Sequence, residues 1–110
     1  KNDPTSKITE YPLLTTNILG KSIPAGGGFY VRTLPLFLIN KAIKEQNDNS
    51  IPATFYIHSW ELTPEYMPKI PLSFLDNFIT YHNLKNTMNK MTQIINKFDF
   101  TSFDRYKKIF

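Results

Sequence analysis

The stretch PAGGG at residues 24–28 divides the chain, because no regular element is expected to run across it. Three consecutive glycines give the backbone access to positive φ. Their missing β carbons also let it approach another segment closely. The sequence before this point has extended character. From Ile8 to Ile18 it reads ITEYPLLTTNI, with Pro12 arguing against a central sheet position. Residues 1–6 form a polar lead-in, LGKS at 19–22 is a turn, and Ile23 closes a short second strand.

After the glycines, Thr33 is the expected N-cap of a helix, with Pro35 in its first turn, where a missing N–H costs little. The spacing predicts that helix from Leu34 to Gln46, burying Leu34, Leu38, Ile39, Ala42 and Ile43, with NDNS at 47–50 ending it. Residues 53–58, ATFYIH, are nearly all apolar or aromatic and predict a strand with both faces covered. Pro52, Pro64, Pro68 and Pro71 keep 63–71 as a loop. Ser73 caps a short helix to Tyr81, and Asn83 caps another. In that last helix Leu84, Met88, Met91, Ile95 and Phe98 face inward, while Lys85, Asn89, Lys90 and Lys97 form a solvated face. The tail FTSFDRYKKIF reads as a short strand followed by a turn of helix. The order β-β-α-β-α-α is that of a mixed α/β piece, with three to four helices and few strands for an independent sheet.

Composition narrows the function classes. The chain has 110 residues, the size of one domain or a fragment of one, 1–110. Nine Phe, six Tyr and one Trp favour an ordered, packed chain. The net charge of +4 is spread over single lysines, which permits an anionic partner without arguing for one. No aromatic-plus-basic pattern points to nucleic acid. With no cysteine, disulfides, thiolate nucleophiles and cysteine zinc sites are excluded. No apolar run approaches the ~18–20 residues of a membrane span. No signal peptide is visible, and a chain opening on Lys1 is expected to be part of a longer or processed product.

Two places could carry chemistry. His58 closes the apolar run, and the C-terminal ends of strands in α/β sheets and barrels are where reactive residues collect. An imidazole exchanges protons near neutral pH. It also serves as an ordinary hydrogen-bonding group at a strand end, and position alone does not decide between the two. Trp60 beside it forms either an apolar wall or sugar-stacking face, or part of the core. Glu61 orients His58, binds a hydroxyl, or acts as a capping acid. The second place is GGGFYVR, 26–32. Its glycines could present N–H groups to an anion or oxyanion, and Arg32 could grip a carboxylate. The alternative is a tight turn with a surface Arg. The segment matches neither the phosphate loop nor the dinucleotide fingerprint. His82 has no ligand-type partner at metal spacing and reads as structural.

Taken in order, ITEYPLLT, LGKSIPAGGGFYVRTLP, IPATFYIHSWELTPE and YHNLKNTMNKMTQIINKFDFTSF resemble the C-terminal region of a bacterial polysaccharide deacetylase subgroup. That subgroup accompanies exopolysaccharide and exosortase gene clusters. Its wording is a Glu-x-Pro strand, a Gly-Gly-Gly-x-x-Arg-x-x-Pro segment and a His-Pro-Trp-Glu segment. These correspond here to Glu10 and Pro12, to Gly26–Gly28 with Arg32 and Pro35, and to His58, Trp60 and Glu61, with Ser59 in place of the usual Pro. The resemblance covers roughly residues 8–105. The family's Asp-Asp and His-x-x-x-His metal motifs have no counterpart in these 110 residues.

The resemblance implies the C-terminal part of a distorted (β/α) barrel. It also implies a hydrolase that removes N-acetyl groups from an N-acetylated polysaccharide or oligosaccharide, inactive on its own without the metal motifs. In the complete family a divalent metal, zinc being the expected ion, polarises the acetamide and binds the attacking water. A late-strand histidine protonates the leaving amine, and His58 occupies that position. By the same resemblance Arg32 binds or orients a carboxylate, Trp60 walls the acetyl or sugar pocket, and Gly27 and Gly28 border the site. Glu61 is a further substrate-binding candidate. The partners implied are the polymer and the N-terminal part of the same barrel, in the bacterial cytoplasm or cell envelope. A non-catalytic carbohydrate-binding or interaction module, or a truncated remnant, is the alternative.

Overall fold

The computed structural model describes Thr5 and residues 8–109, so the expected polar lead-in lies, apart from Thr5, outside the described residues. β1 (Thr15–Ile18) and β2 (Lys21–Pro24) pair antiparallel, from Thr15 opposite Pro24 to Ile18 opposite Lys21. The two residues between them, Leu19 and Gly20, have φ of +50° and +77°. Two left-handed residues in a two-residue hairpin turn follow the right-handed twist of the strands. The expected turn at 19–22 is thus its first two residues, and Lys21 already belongs to β2.

Residues 53–57 run extended beside this hairpin, but they do not form the strand the sequence predicts. Each neighbour contributes one rung: Leu13 bridges Thr54 and Gly27 bridges Tyr56, both parallel. Leu14 donates its N–H to the Thr54 carbonyl at 2.9 Å, and Tyr56 donates to Gly26 at 2.9 Å. Tyr56 is 58 % exposed, so the two-sided burial expected of this run is corrected. The ladder is short because its neighbours are two separate segments and the second turns helical at once. The expected close approach does occur. A β carbon on Gly26 would sit 2.5 Å from the Thr54 carbonyl oxygen. Positive φ is not what the three glycines supply; among the described glycines it belongs to Gly20.

The third glycine opens a helix, α1 (Gly28–Thr33), where the sequence pointed to a loop. Thr33 therefore ends one helix instead of capping the next. α2 (Leu36–Asp48) begins after Pro35, two residues later than expected, and buries Ile39, Ala42 and Ile43 at helical spacing. Leu34 and Leu38 are half-buried. Ile39, Ala42 and Ile43 form the core with Leu14, Ala25, Val31 and Ile94, ringed by residues that include Leu34, Phe55, Ile57, Met91 and Phe98.

α3 (Ser59–Leu62) and a 3₁₀ turn, Pro64–Tyr66, follow. α4 (Phe74–Tyr81) is capped as expected, with Ser73 Oγ accepting from the Asp76 N–H. Asn83 does not cap the next helix through its side chain. It takes φ +54° ahead of a 3₁₀ turn, Leu84–Asn86, and α5 (Thr87–Lys97) begins after that turn. The inward face of α5 is Thr87 and Ile94, with Met91 and Phe98 partly buried, while Met88 and Ile95 are exposed. The expected inward positions hold at Leu84, Met91 and Phe98 and are corrected at Met88 and Ile95. The tail forms α6 (Phe103–Ile109) without a preceding strand. Its Phe103 ring lies 4.9 Å from Tyr11. Hairpin, bridges and helices together make a small mixed α/β domain.

Candidate functional site

His58 sits where the extended run meets α3, as that helix's N-cap. Three residues on, Glu61 folds back. Its Oε2 accepts the His58 backbone N–H at 2.8 Å and lies 3.1 Å from His58 Nδ1. An acid at the third helical position reaching back to the cap N–H is one half of a capping box. Here the same oxygen also meets the cap's own ring. The chain geometry that starts α3 thus sets the imidazole's orientation, since Nδ1 faces a carboxylate and Nε2 is turned away from it. The His58 side chain is 47 % exposed, against 3 % for Glu61. Trp60 stacks on the imidazole at 5.5 Å, and Tyr56 meets it edge-on at 4.8 Å.

Glu61 is held from behind by α1. Gly28 is buried, and a β carbon there would overlap the Glu61 carboxylate. The glycine therefore makes room for the acid rather than offering an anion site. Its N–H is already donated to the Tyr56 carbonyl at 3.1 Å. One turn later Arg32, 2 % exposed, brings Nη2 to 3.6 Å from Glu61 Oε1. Its guanidinium also donates to the last carbonyls of α4, Nη1 to Thr80 at 2.9 Å and Nη2 to Ile79 at 2.8 Å. A cation suits a helix C-terminus. Its Cζ lies 6.0 Å from both the Phe29 and Trp60 ring centres. Burial pushes the Arg32 pKa down, and Glu61 opposes that shift.

The sequence candidates thus converge. His58, Trp60, Glu61, Arg32 and Gly28 form one connected group, with Gly27 bridged to Tyr56 beside it. His82 is elsewhere, at the end of α4, stacked on Phe78 at 4.5 Å. A cleft of about 340 Å³ between Pro64, Ile70, Tyr81 and Lys85 does not include His58 in its lining.

Lys90 is the residue that sequence reasoning missed. The expected solvated lysine turns inward, and its Nζ donates to the carbonyls of Val31, Arg32 and Leu34 at 3.1, 2.9 and 2.8 Å. Burial lowers its pKa. The signal was its spacing, three residues after Thr87 and four before Ile94, once those two are known to face inward. Among the described residues no group of three or more His, Cys, Asp or Glu could hold a metal ion. No helix of the described residues is long and apolar enough to cross a membrane.

What the fold and site define is a small mixed α/β domain carrying an exposed histidine backed by a buried acid–arginine pair. The chain belongs to the family described as a domain of unknown function, DUF3473, which matches residues 1–108. No curated protein and no solved structure matches it.

Proposed function

We propose that this chain is the C-terminal portion of a polysaccharide deacetylase-like hydrolase, part of a distorted (β/α) barrel, that removes N-acetyl groups from amino sugars in exopolysaccharide synthesis. The observation that supports this reading is the His58–Glu61–Arg32 arrangement. Deacetylation of an N-acetyl group adds water across the amide and releases acetate and an amine. The amine leaves only if its nitrogen gains a proton. Protonated His58, with Nδ1–H on Glu61, presents Nε2–H to solvent for that transfer. Afterwards it is neutral with the remaining proton still on Nδ1, so the ring does not turn. Buried Arg32 backs Glu61 from the interior without reaching the substrate. Trp60 and Tyr56 flank the imidazole as apolar surfaces for a sugar. The described residues do not fit the divalent metal that such hydrolases use, because no three of their metal-ligating side chains cluster, so its ligands would come from elsewhere in the complete protein.

The test is acetate release from N-acetylglucosamine oligomers by the complete gene product. His58→Ala is expected to lower kcat by roughly 10²–10⁴-fold with bound metal and melting temperature nearly unchanged. Near-normal kcat would remove His58 from the mechanism. Oligomer binding without any acetate release would favour a carbohydrate-binding module, which the exposed aromatic flank also suits.

A further inference from the structure

We infer that Lys90, assisted by Asn83, is a positioning residue for His58, acting through the backbone of α1. Its catalytic consequence rests on the proton-donor reading of His58, but its structural content does not. α1 has six residues, so its last carbonyls lack partners within the helix. An ammonium carries three N–H donors, and Lys90 directs them at three of the carbonyls at this end, Val31, Arg32 and Leu34. Asn83 Nδ2 adds a second bond to the Arg32 carbonyl, at 2.7 Å. The Arg32 backbone is thus gripped from α5 and from the turn before it.

From that fixed backbone the Arg32 side chain runs to Glu61, and Glu61 runs to His58 Nδ1. The ion pair is long, at 3.6 Å, so a small swing of the last turn of α1 separates it. Glu61 then keeps the bond from the His58 backbone N–H but loses the contact that holds its carboxylate from the far side, and it can turn away from Nδ1. The groups that face the His58 ring are Glu61, Tyr56 and Trp60, with Arg32 behind Glu61. Of these, Glu61 is the acceptor that selects the Nδ1–H tautomer.

The experiment is nitrogen–proton NMR correlation of the imidazoles in the protein at alkaline pH, where histidine is neutral. The unaltered protein should hold the His58 proton on Nδ1. Lys90→Met should move His58 to a majority of Nε2–H, the tautomer a free imidazole side chain prefers, with His82 unchanged. Lys90→Arg should keep more of the native tautomer than Lys90→Met. Ile94→Ala, a core truncation on the same helix, should lower the melting temperature and leave the tautomer alone. Should Lys90→Met fail to fold, Asn83→Ala removes one of the two side-chain bonds to the Arg32 carbonyl, together with the bond Asn83 accepts from Asn86, and should give a partial shift. The inference is overturned if Lys90→Met, or Asn83→Ala in its place, lowers stability with the native tautomer retained, or if Ile94→Ala shifts the tautomer equally. Nε2–H in the unaltered protein overturns it too. A tautomer shift without any deacetylase activity in the complete gene product would sink the functional reading and leave this one standing.

Discussion

Neighbouring glycines in one run have opposite tolerances. At Gly28 any β carbon meets the Glu61 carboxylate, whereas at Gly27 the nearest atom to one is Tyr30 Cδ2 at 3.8 Å, with the backbone at an ordinary φ of −83°. Gly28→Ala should therefore destabilise the protein by about 1–3 kcal/mol, the usual cost of overpacking. Gly27→Ala should stabilise it by about 0.4–1 kcal/mol by stiffening the unfolded chain. Urea unfolding of both variants checks this, and equal effects would mean that Glu61 is not wedged against α1. Lys90 supplies a pH prediction at the same scale. Burial disfavours its charged form, so it should lose its proton below the ordinary lysine value of 10.5, ahead of the exposed lysines. A carbon-detected titration of the lysine side chains should show Lys90 moving first.

At the scale of elements, the hairpin is held together by a turn that its sequence suits only in part. Leu19 is fully exposed at φ +50°, a conformation that costs most L residues roughly 1–2 kcal/mol. Asn tolerates it better, and Asn-Gly is the preferred pair for this turn. Leu19→Asn should raise stability by up to about 1 kcal/mol, read as a higher melting temperature, and a fall would show that the turn is not of this kind. Elements built on local chemistry were legible in the sequence: the turn at Leu19–Gly20, the Ser73 cap, and the helix through Ile39, Ala42 and Ile43. What misled was tertiary. α1 is six residues long, too short for a periodic signal, and its last carbonyls are satisfied by a lysine from the far end of the chain. The register of α5 slipped because Met88 and Ile95 are apolar yet exposed, whereas Thr87 is polar and buried with its hydroxyl donated to the Leu84 carbonyl. At the site, spacing brought His58, Trp60 and Glu61 together correctly. The sequence could not reveal that Arg32 and Glu61 face each other in the interior, because nothing local links two residues on different helices.

Over the whole molecule, apolar surface is unevenly covered. The radius of gyration, 15.7 Å, exceeds the roughly 13 Å typical of a compact chain this long. α4 has no buried residue, and its Phe74 is 92 % exposed. With no cluster of metal-binding side chains among the described residues, the purified 110-residue chain should show no tight zinc binding by calorimetry and release no acetate from N-acetylglucosamine oligomers, with or without zinc. A tight site, or metal-dependent acetate release, would overturn the view that the metal is held elsewhere.

The bonds behind His58 also fix when the site can form. Arg32 reaches carbonyls 47 and 48 residues away, and Lys90 reaches carbonyls 56 to 59 residues away. Each closes a loop of about half the chain, so its entropy must be met before any contact rewards it. The hairpin and α2 can form from neighbouring residues, but the support for the imidazole waits for the last third of the sequence to arrive. The same reach makes the proline-bounded connection between Met67 and Ser73 a point of failure. A protease cut there would leave His58 and Glu61 on one piece and the carbonyls that anchor Arg32 on the other.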